Sequence, residues 1–185
     1  MLRAAGDVLA ERGFAHLDLA ELARRADVGK TTVYRRWGTV TAVVTDLLGE
    51  MAVESVSRAD TGTLLGDLRA NARLVVRTLT DARQGPLFKA VLAAATCDDD
   101  TAAAVTRFYE TRIAEWAPCV TDAAARGEVP VDTDASEVVR AVSAPLYYRL
   151  LTGTGALDDA AADRAAEAAV AAAKAGVFSK ENGAR

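Results

Sequence analysis

Apolar residues recur at helical spacing along most of the chain, which predicts an all-α fold of about nine helices. Leu2, Ala5, Val8 and Leu9 form one stripe of a helix over residues 2–12. Asp18 can cap a second helix, with Glu21 three residues on to close a capping box and Leu19, Leu22 and Ala23 facing inward. That helix is expected to end near Ala26. Asp27-Val28-Gly29 then reads as a turn whose valine plugs a small core, and Gly29 or Lys30 opens a third, short helix through Arg36. Phe14, Leu22, Val33 and Trp37 complete this core with the first helix.

The pattern continues in longer elements. Thr39 caps a helix expected to reach about Arg58, with Val43, Val44 and Leu47 packing on the N-terminal core and Met51 further along toward the larger domain. It is the one continuous link through which a change in the rest of the chain can reach the first three helices. After a turn-rich break over 60–66, a helix over 63–81 turns Leu64, Leu65, Leu68, Ala72, Val75 and Leu79 inward. It spaces Arg69, Arg73 and Arg77 four apart, a row that fits either a second nucleic-acid surface or, the favoured reading, a solvated face. Gln84-Gly85-Pro86 breaks the chain before a helix over 86–95 carrying Leu87, Phe88, Val91 and Leu92. A long helix over 99–126 aligns Val105, Phe108, Trp116, Val120 and Ala123, and another over 134–152 carries Val138, Val139, Val142, Leu146, Tyr147 and Leu150. Pro145 falls inside the latter and is expected to bend it. An alanine-rich helix over 158–175 precedes an expected frayed tail from Gly176.

The stretch from Asp18 to Trp37, two short helices joined by a tight turn, is a helix-turn-helix arrangement, in which the second helix lies in the DNA major groove and the first braces it. Thr31 and Thr32 are short hydroxyls that reach base edges or phosphate without crowding. Lys30, Tyr34, Arg35 and Arg36 suit phosphate oxygens, which fix register but carry no sequence information. With Arg24 these form the candidate DNA-contacting set. Short threonine- and arginine-bearing helices also occur on ordinary surfaces, so the charge pattern alone leaves the assignment open.

Glu11-Arg12-Gly13-Phe14, the Leu-Ala-x-x-Ala-x-Val turn and Thr-Thr-Val-Tyr-x-x-Trp together make residues 2–48 resemble the DNA-binding domain of the TetR family. The resemblance implies that Gly13-Phe14 follows helix one, that Tyr34 contacts phosphate and that Trp37 closes the three-helix core. Ala144-Pro145-Leu146-Tyr147-Tyr148-Arg149-Leu150-Leu151 further resembles the penultimate helix in one branch of such regulators. Some positions depart from the family pattern. Leu17 stands where a hydroxyl often precedes the cap, Val40 replaces a phosphate-holding lysine near the start of helix four, and the chain opens almost at helix one without a basic arm. These departures point to a weaker phosphate grip, or to a natural start upstream of Met1.

Composition divides the chain. Its 185 residues can form one compact unit or a small domain on a larger one, and the expected division is a helix-turn-helix domain over 1–47 and a body over 48–185. Residues 1–45 hold 7 Lys and Arg against 5 Asp and Glu, a net of +2, within a chain of net charge −4. A mildly basic reading head on an acidic body limits nonspecific DNA binding. The 2 cysteines, Cys97 and Cys119, are too few for a disulfide framework or zinc site, so a reducing cytoplasm is expected. No run approaches a membrane span, and charges interrupt any signal-peptide pattern at the N-terminus. The lone histidine, His16, is expected in a loop, and Asp98-Asp99-Asp100 is explained by the start of a helix rather than a cation.

The body raises a ligand question. Arg112 lies within an apolar stripe, four residues from both Phe108 and Trp116. Such an arginine needs a carboxylate partner or an exposed edge, the favoured structural account, or else it anchors a polar or anionic ligand between aromatic walls. A small-molecule site is expected to include Leu68, Phe88, Leu92, Tyr109, Arg112, Trp116 and Tyr147, without cofactor or metal. The alanine-rich last helix and its neighbour suit a four-helix homodimer interface, against an internal packing layer as the alternative. These features favour a ligand-responsive repressor that binds a palindromic operator in double-stranded DNA as a dimer. A constitutive or partner-controlled DNA-binding protein without a small-molecule effector is the main alternative. An enzyme is disfavoured, because one loop histidine and two isolated cysteines supply no catalytic cluster.

Overall fold

A computed structural model describes residues 1–54 and 57–180. The fold is all-α. The described residues form α1 (Leu2–Arg12), a 3₁₀ turn (Phe14–His16), α2 (Leu19–Arg25), α3 (Lys30–Arg36), α4 (Val40–Val53), α5 (Leu64–Thr80), α6 (Gln84–Ala95), α7 (Asp99–Ala125), α8 (Ala135–Thr152) and α9 (Asp159–Lys174). Four starts follow directly from capping chemistry. The carboxylates of Asp18, Asp134 and Asp158 and the hydroxyl of Thr39 accept backbone N–H groups that the first helical turn leaves unpaired.

The chain divides into two compact units. The first comprises residues 1–55 and 81–111, and the second residues 56–80 and 112–185.

In the first unit α1 packs on α4 and α6, and α2 packs on α3. Ala5, Val8, Leu9, Leu17, Leu19, Leu22, Ala23, Val33, Val43, Val44, Leu47 and Leu48 form its N-terminal core. Phe14 and Trp37, expected to complete that core, are half-buried at its edge. The α1–α6 contact is close because Gly6 has no side chain: a Cβ there would stand 2.5 Å from Arg83 Nη2. Arg83 in turn donates to Asp7 Oδ1 at 2.6 Å and to the Arg3 carbonyl at 3.0 Å. The start of α7 follows its expected account, with Asp98 accepting the Thr101 N–H at 2.7 Å.

The fourth helix is shorter than expected. It ends at Val53, Ser55 and Val56 lie outside the described residues, and Arg58 stands outside any helix. There the Arg58 backbone N–H donates to Glu115 and its guanidinium to Asp122, so this stretch bonds to α7 side chains instead of continuing the helical ladder.

In the second unit α5, α8 and α9 pack against one another. The alanine-rich helix is buried through Ala161, Ala162, Ala165, Ala166, Ala169, Val170 and Ala173. Leu64, Leu68, Ala72 and Leu79 of α5 are buried as the pattern predicts, whereas Leu65 and Val75 are half-buried. Asp67 and Asn71 take interior positions instead. Burial of the Asp67 carboxylate is offset by the Thr61 backbone N–H and hydroxyl, which donate to Oδ1 at 2.7 and 2.8 Å.

Two expectations are corrected here. Arg69 and Arg73 do not stand as a row of free cations: Arg69 pairs with Glu167, and Arg73 forks onto both oxygens of Asp163 at 3.1 and 2.9 Å, tying α5 to α9, while Arg77 is exposed. Residues 176–180 are not a frayed tail. Thr133 and Ser179 form an isolated antiparallel bridge, the Asp134 N–H donates to the Phe178 carbonyl, and the Lys180 N–H donates to the Asp132 carbonyl. Pro145 lies inside α8, exposed, and Pro118 lies inside α7, half-buried.

Candidate nucleic-acid interface

The helix-turn-helix is built by three local devices. Asp18 Oδ1 accepts the backbone N–H groups of Ala20 and Glu21, both at 2.9 Å, and starts α2. The turn closes through Asp27, whose φ of 53° is tolerated by a short polar side chain, and through the Val28 N–H donating to the Ala23 carbonyl. The helix α3 then begins at Lys30 and is fastened by a single buried residue, Val33. Every other α3 side chain is exposed, so the helix offers nearly its whole surface to a partner.

The expected capping box does not close. Glu21 turns outward, where Arg24 donates to both of its oxygens at 2.8 Å and Arg25 Nε donates to Oε1 at 3.1 Å. Arg24 first, then Arg25, holds the Glu21 carboxyl down at about 2. Two full guanidinium charges outcompete one backbone N–H for the same carboxylate. Arg25 also reaches Glu11 on α1 at 3.0 Å.

The seven residues expected to contact DNA all lie in this head, and they differ in how strongly the protein itself engages them. Lys30, Thr31, Thr32, Tyr34 and Arg35 are exposed, Tyr34 by 50%. Arg24 is exposed but carries its own counter-ion in Glu21. Arg36 lies over the Trp37 ring, 4.7 Å from guanidinium carbon to ring centroid, with Nη2 3.8 Å from Asp46 Oδ2. The Trp37 indole N–H donates to that same oxygen at 2.9 Å. Asp46, on α4, was not singled out by its sequence; an acidic residue nine positions after a tryptophan has no local signal. An open cleft of about 390 Å³ borders this group, lined among others by Arg36, Trp37, Thr39, Thr45, Asp46, Asp100 and Arg107.

The residues expected to line an effector site are shared between the units. Phe88, Leu92 and Tyr109 belong to the first, where Phe88 and Phe108 stand 5.4 Å apart and Phe108 meets Tyr109 edge-on at 5.3 Å. Leu68, Arg112, Trp116 and Tyr147 belong to the second. Leu68 and Trp116 are buried, and Arg112 and Tyr147 are half-buried. Burial disfavours the charge on Arg112, partly offset by the fields of Glu115 and Tyr147. The cleft beside Trp37 shares no residue with this set.

Other candidate chemistry resolves locally. His16 is exposed at the 3₁₀ turn, with Nδ1 2.7 Å from the Arg12 carbonyl it would donate to. Cys119 is fully buried, and burial pushes its thiol up to about 12, whereas Cys97 is exposed. Among the described residues no cluster of His, Cys, Asp or Glu could hold a metal ion, and no helix is long and apolar enough to cross a membrane.

Comparison with known proteins agrees with this architecture. Residues 1–45 match the family model described as bacterial regulatory proteins, tetR family. Residues 58–169 match the tetracyclin repressor-like C-terminal domain. The chain is 30% identical, over 82% of its length and 76% of the relative's, to the uncharacterized HTH-type transcriptional regulator YdeS of Bacillus subtilis. It is 28% identical, over 86% of its length and 84% of the relative's, to the DNA-binding transcriptional repressor TetR of Mycobacteroides abscessus. Among solved structures, the TetR family transcription regulator SCO0332 superposes with a TM-score of 0.75 at 28% identity, covering 92% of this chain and 94% of that one.

Proposed function

Because the chain belongs to the TetR family of DNA-binding transcriptional regulators, we propose that it is a homodimeric repressor that binds a palindromic operator and releases it when a small molecule occupies its second unit. The observation that carries this reading is α3 itself. A helix fastened by Val33 alone, with Thr31, Thr32, Tyr34 and Arg35 exposed, is arranged for a major groove. In this reading the threonines meet base edges, and Tyr34, Lys30 and Arg35 meet phosphate. The Mycobacteroides relative, a DNA-binding transcriptional repressor, supports the sign of the regulation.

Dimerisation is assigned to α8 and α9. Tyr148 and Leu151 of α8 are exposed by 63% and 56%, and α9 turns Ala160, Ala168 and Ala171 outward. Small residues permit close helix approach, and a two-fold pair would place two α3 helices in successive major grooves about 34–36 Å apart. The effector response is assigned to Arg112, with Tyr147, Trp116 and Leu68. A half-buried guanidinium whose charge is disfavoured gains from an anionic or polar ligand group. The ligand can lower DNA affinity only by as much as it prefers the state that does not bind the operator.

The deciding experiment is a gel-shift titration against DNA flanking the protein's own gene, at fixed salt, beside Tyr34→Ala. Saturable binding to one palindromic segment that drops at least about tenfold in the variant supports the reading. Equal binding to every fragment overturns it. With the operator in hand, Arg112→Ala should bind it normally and lose the response to whichever effector a ligand screen returns. Sedimentation should show a dimer that Leu151→Glu splits.

A further inference from the structure

The group around Asp46 carries an inference beyond DNA binding itself. The Oδ2 oxygen of Asp46 stands between two side chains at the C-terminal end of α3: the Trp37 indole N–H, which donates to it at 2.9 Å, and Arg36 Nη2 at 3.8 Å. Arg36 also rests on the Trp37 ring at 4.7 Å. One carboxylate on α4 therefore arranges both an aromatic and a cation at the end of the helix that reads DNA. In helix-turn-helix proteins the N-terminal residues of the recognition helix contact the bases, and Arg36 is the last residue of α3. A mobile guanidinium at that end would seize phosphate at any sequence.

We propose that Asp46 is a specificity-determining positioning residue: it fixes the end of α3 on α4 through Trp37 and withholds Arg36 from the DNA backbone. Thr31, Thr32 and Tyr34 keep their register, and sequence-independent binding has one fewer phosphate contact than the count of exposed arginines implies. Each phosphate contact contributes about 0.9 to the slope of log affinity against log salt, so one contact changes affinity about three- to fourfold between about 50 and 200 mM salt. The inference rests on α3 as the DNA-reading helix and needs no knowledge of the operator.

The test uses the full chain and a labelled mixed-sequence duplex of about three helical turns, with fluorescence anisotropy read across that salt range. Asp46→Asn should bind tighter, with a slope steeper by about 0.9, so that its advantage over the parent protein is about three- to fourfold larger at the low-salt end than at the high-salt end. Arg36→Gln alone should leave the slope unchanged, and the double variant should match Arg36→Gln. Asp46→Glu, which can still accept the indole N–H, should stay near the parent protein. Arg36→Gln does not touch the Trp37–Asp46 bond, so it carries the test even if Asp46→Asn folds poorly. A slope shallower by about 0.9 in Arg36→Gln would make Arg36 an ordinary phosphate contact and overturn the proposal. An equal gain from Asp46→Asn with and without Arg36 would reduce Asp46 to bulk charge and overturn it too. Failure of every form to bind any duplex would sink it together with the assignment of α3 to DNA.

Discussion

The helices α3 and α9 are held in opposite ways. A single residue, Val33, fastens α3, and the rest of its surface is exposed. Along α9 seven residues are buried, six of them alanine, and Asp163 and Glu167 pin its flank to the arginines of α5. Alanine loses no side-chain entropy on ordering and lets neighbouring backbones approach, so α9 gains contact along its length. In the proposed reading, α3 forgoes that contact because its side chains are kept for DNA. A short helix is marginal by itself, so α3 depends on the anchor beneath it and the carboxylates beside it.

The contrast breaks most sharply at its anchor. Val33→Asp would bury an unpaired carboxylate at the only buried side chain of α3, costing several kcal/mol; urea unfolding should show a broken or destabilised head and DNA binding should vanish. In α9 the vulnerable change runs the other way. Ala166→Leu forces side-chain volume into a fully buried position and should cost about 1–3 kcal/mol in the urea midpoint.

Removing Arg73 sharpens the comparison at a smaller scale. Both partners are partly exposed, so Arg73→Ala should cost less than about 1 kcal/mol. The pair also has a pH signature. Arg73 lowers the Asp163 carboxyl below its ordinary value, so the stabilisation is present above the ordinary carboxylate range and is lost as pH falls through the lower, folded value. Melting curves across that acid range should fall less steeply for Arg73→Ala.

The smallest effect is expected at Glu21. Its carboxyl, held at about 2 chiefly by Arg24 and then by Arg25, should titrate well below the ordinary carboxylate range by NMR and move upward in high salt. Glu21→Gln should leave folding unchanged and tighten nonspecific duplex binding severalfold, because Arg24 loses its internal counter-ion. Unchanged binding would mean that Arg24 faces no phosphate.

These differences also separate what the sequence discloses from what it hides. The caps at Asp18 and Thr39 were legible because they act within three residues of themselves, and Asp134 and Asp158, at the expected starts of two later helices, cap in the same local way. The α3 surface was legible because one valine among polar neighbours has only one way to face. The partners of Arg69 and Arg73 were not, since Glu167 and Asp163 lie 98 and 90 residues away along the chain. Asp67 and Asn71 were missed for a related reason. An apolar-only stripe cannot anticipate a buried carboxylate satisfied by Thr61. Glu21 fits the capping-box spacing, yet the competing arginines were visible three and four residues on and their stronger claim was the better guide.

The two cysteines give the protein a ready-made handle. Thiolate, not thiol, reacts with maleimides, and Cys119 combines full burial with a thiol raised to about 12. Cys97, just beyond the end of α6, is exposed. At neutral pH a maleimide dye should therefore attach once, at Cys97. The unaltered chain can carry a single fluorophore in its DNA-binding unit, and operator titrations can be followed optically without engineering a cysteine in or out.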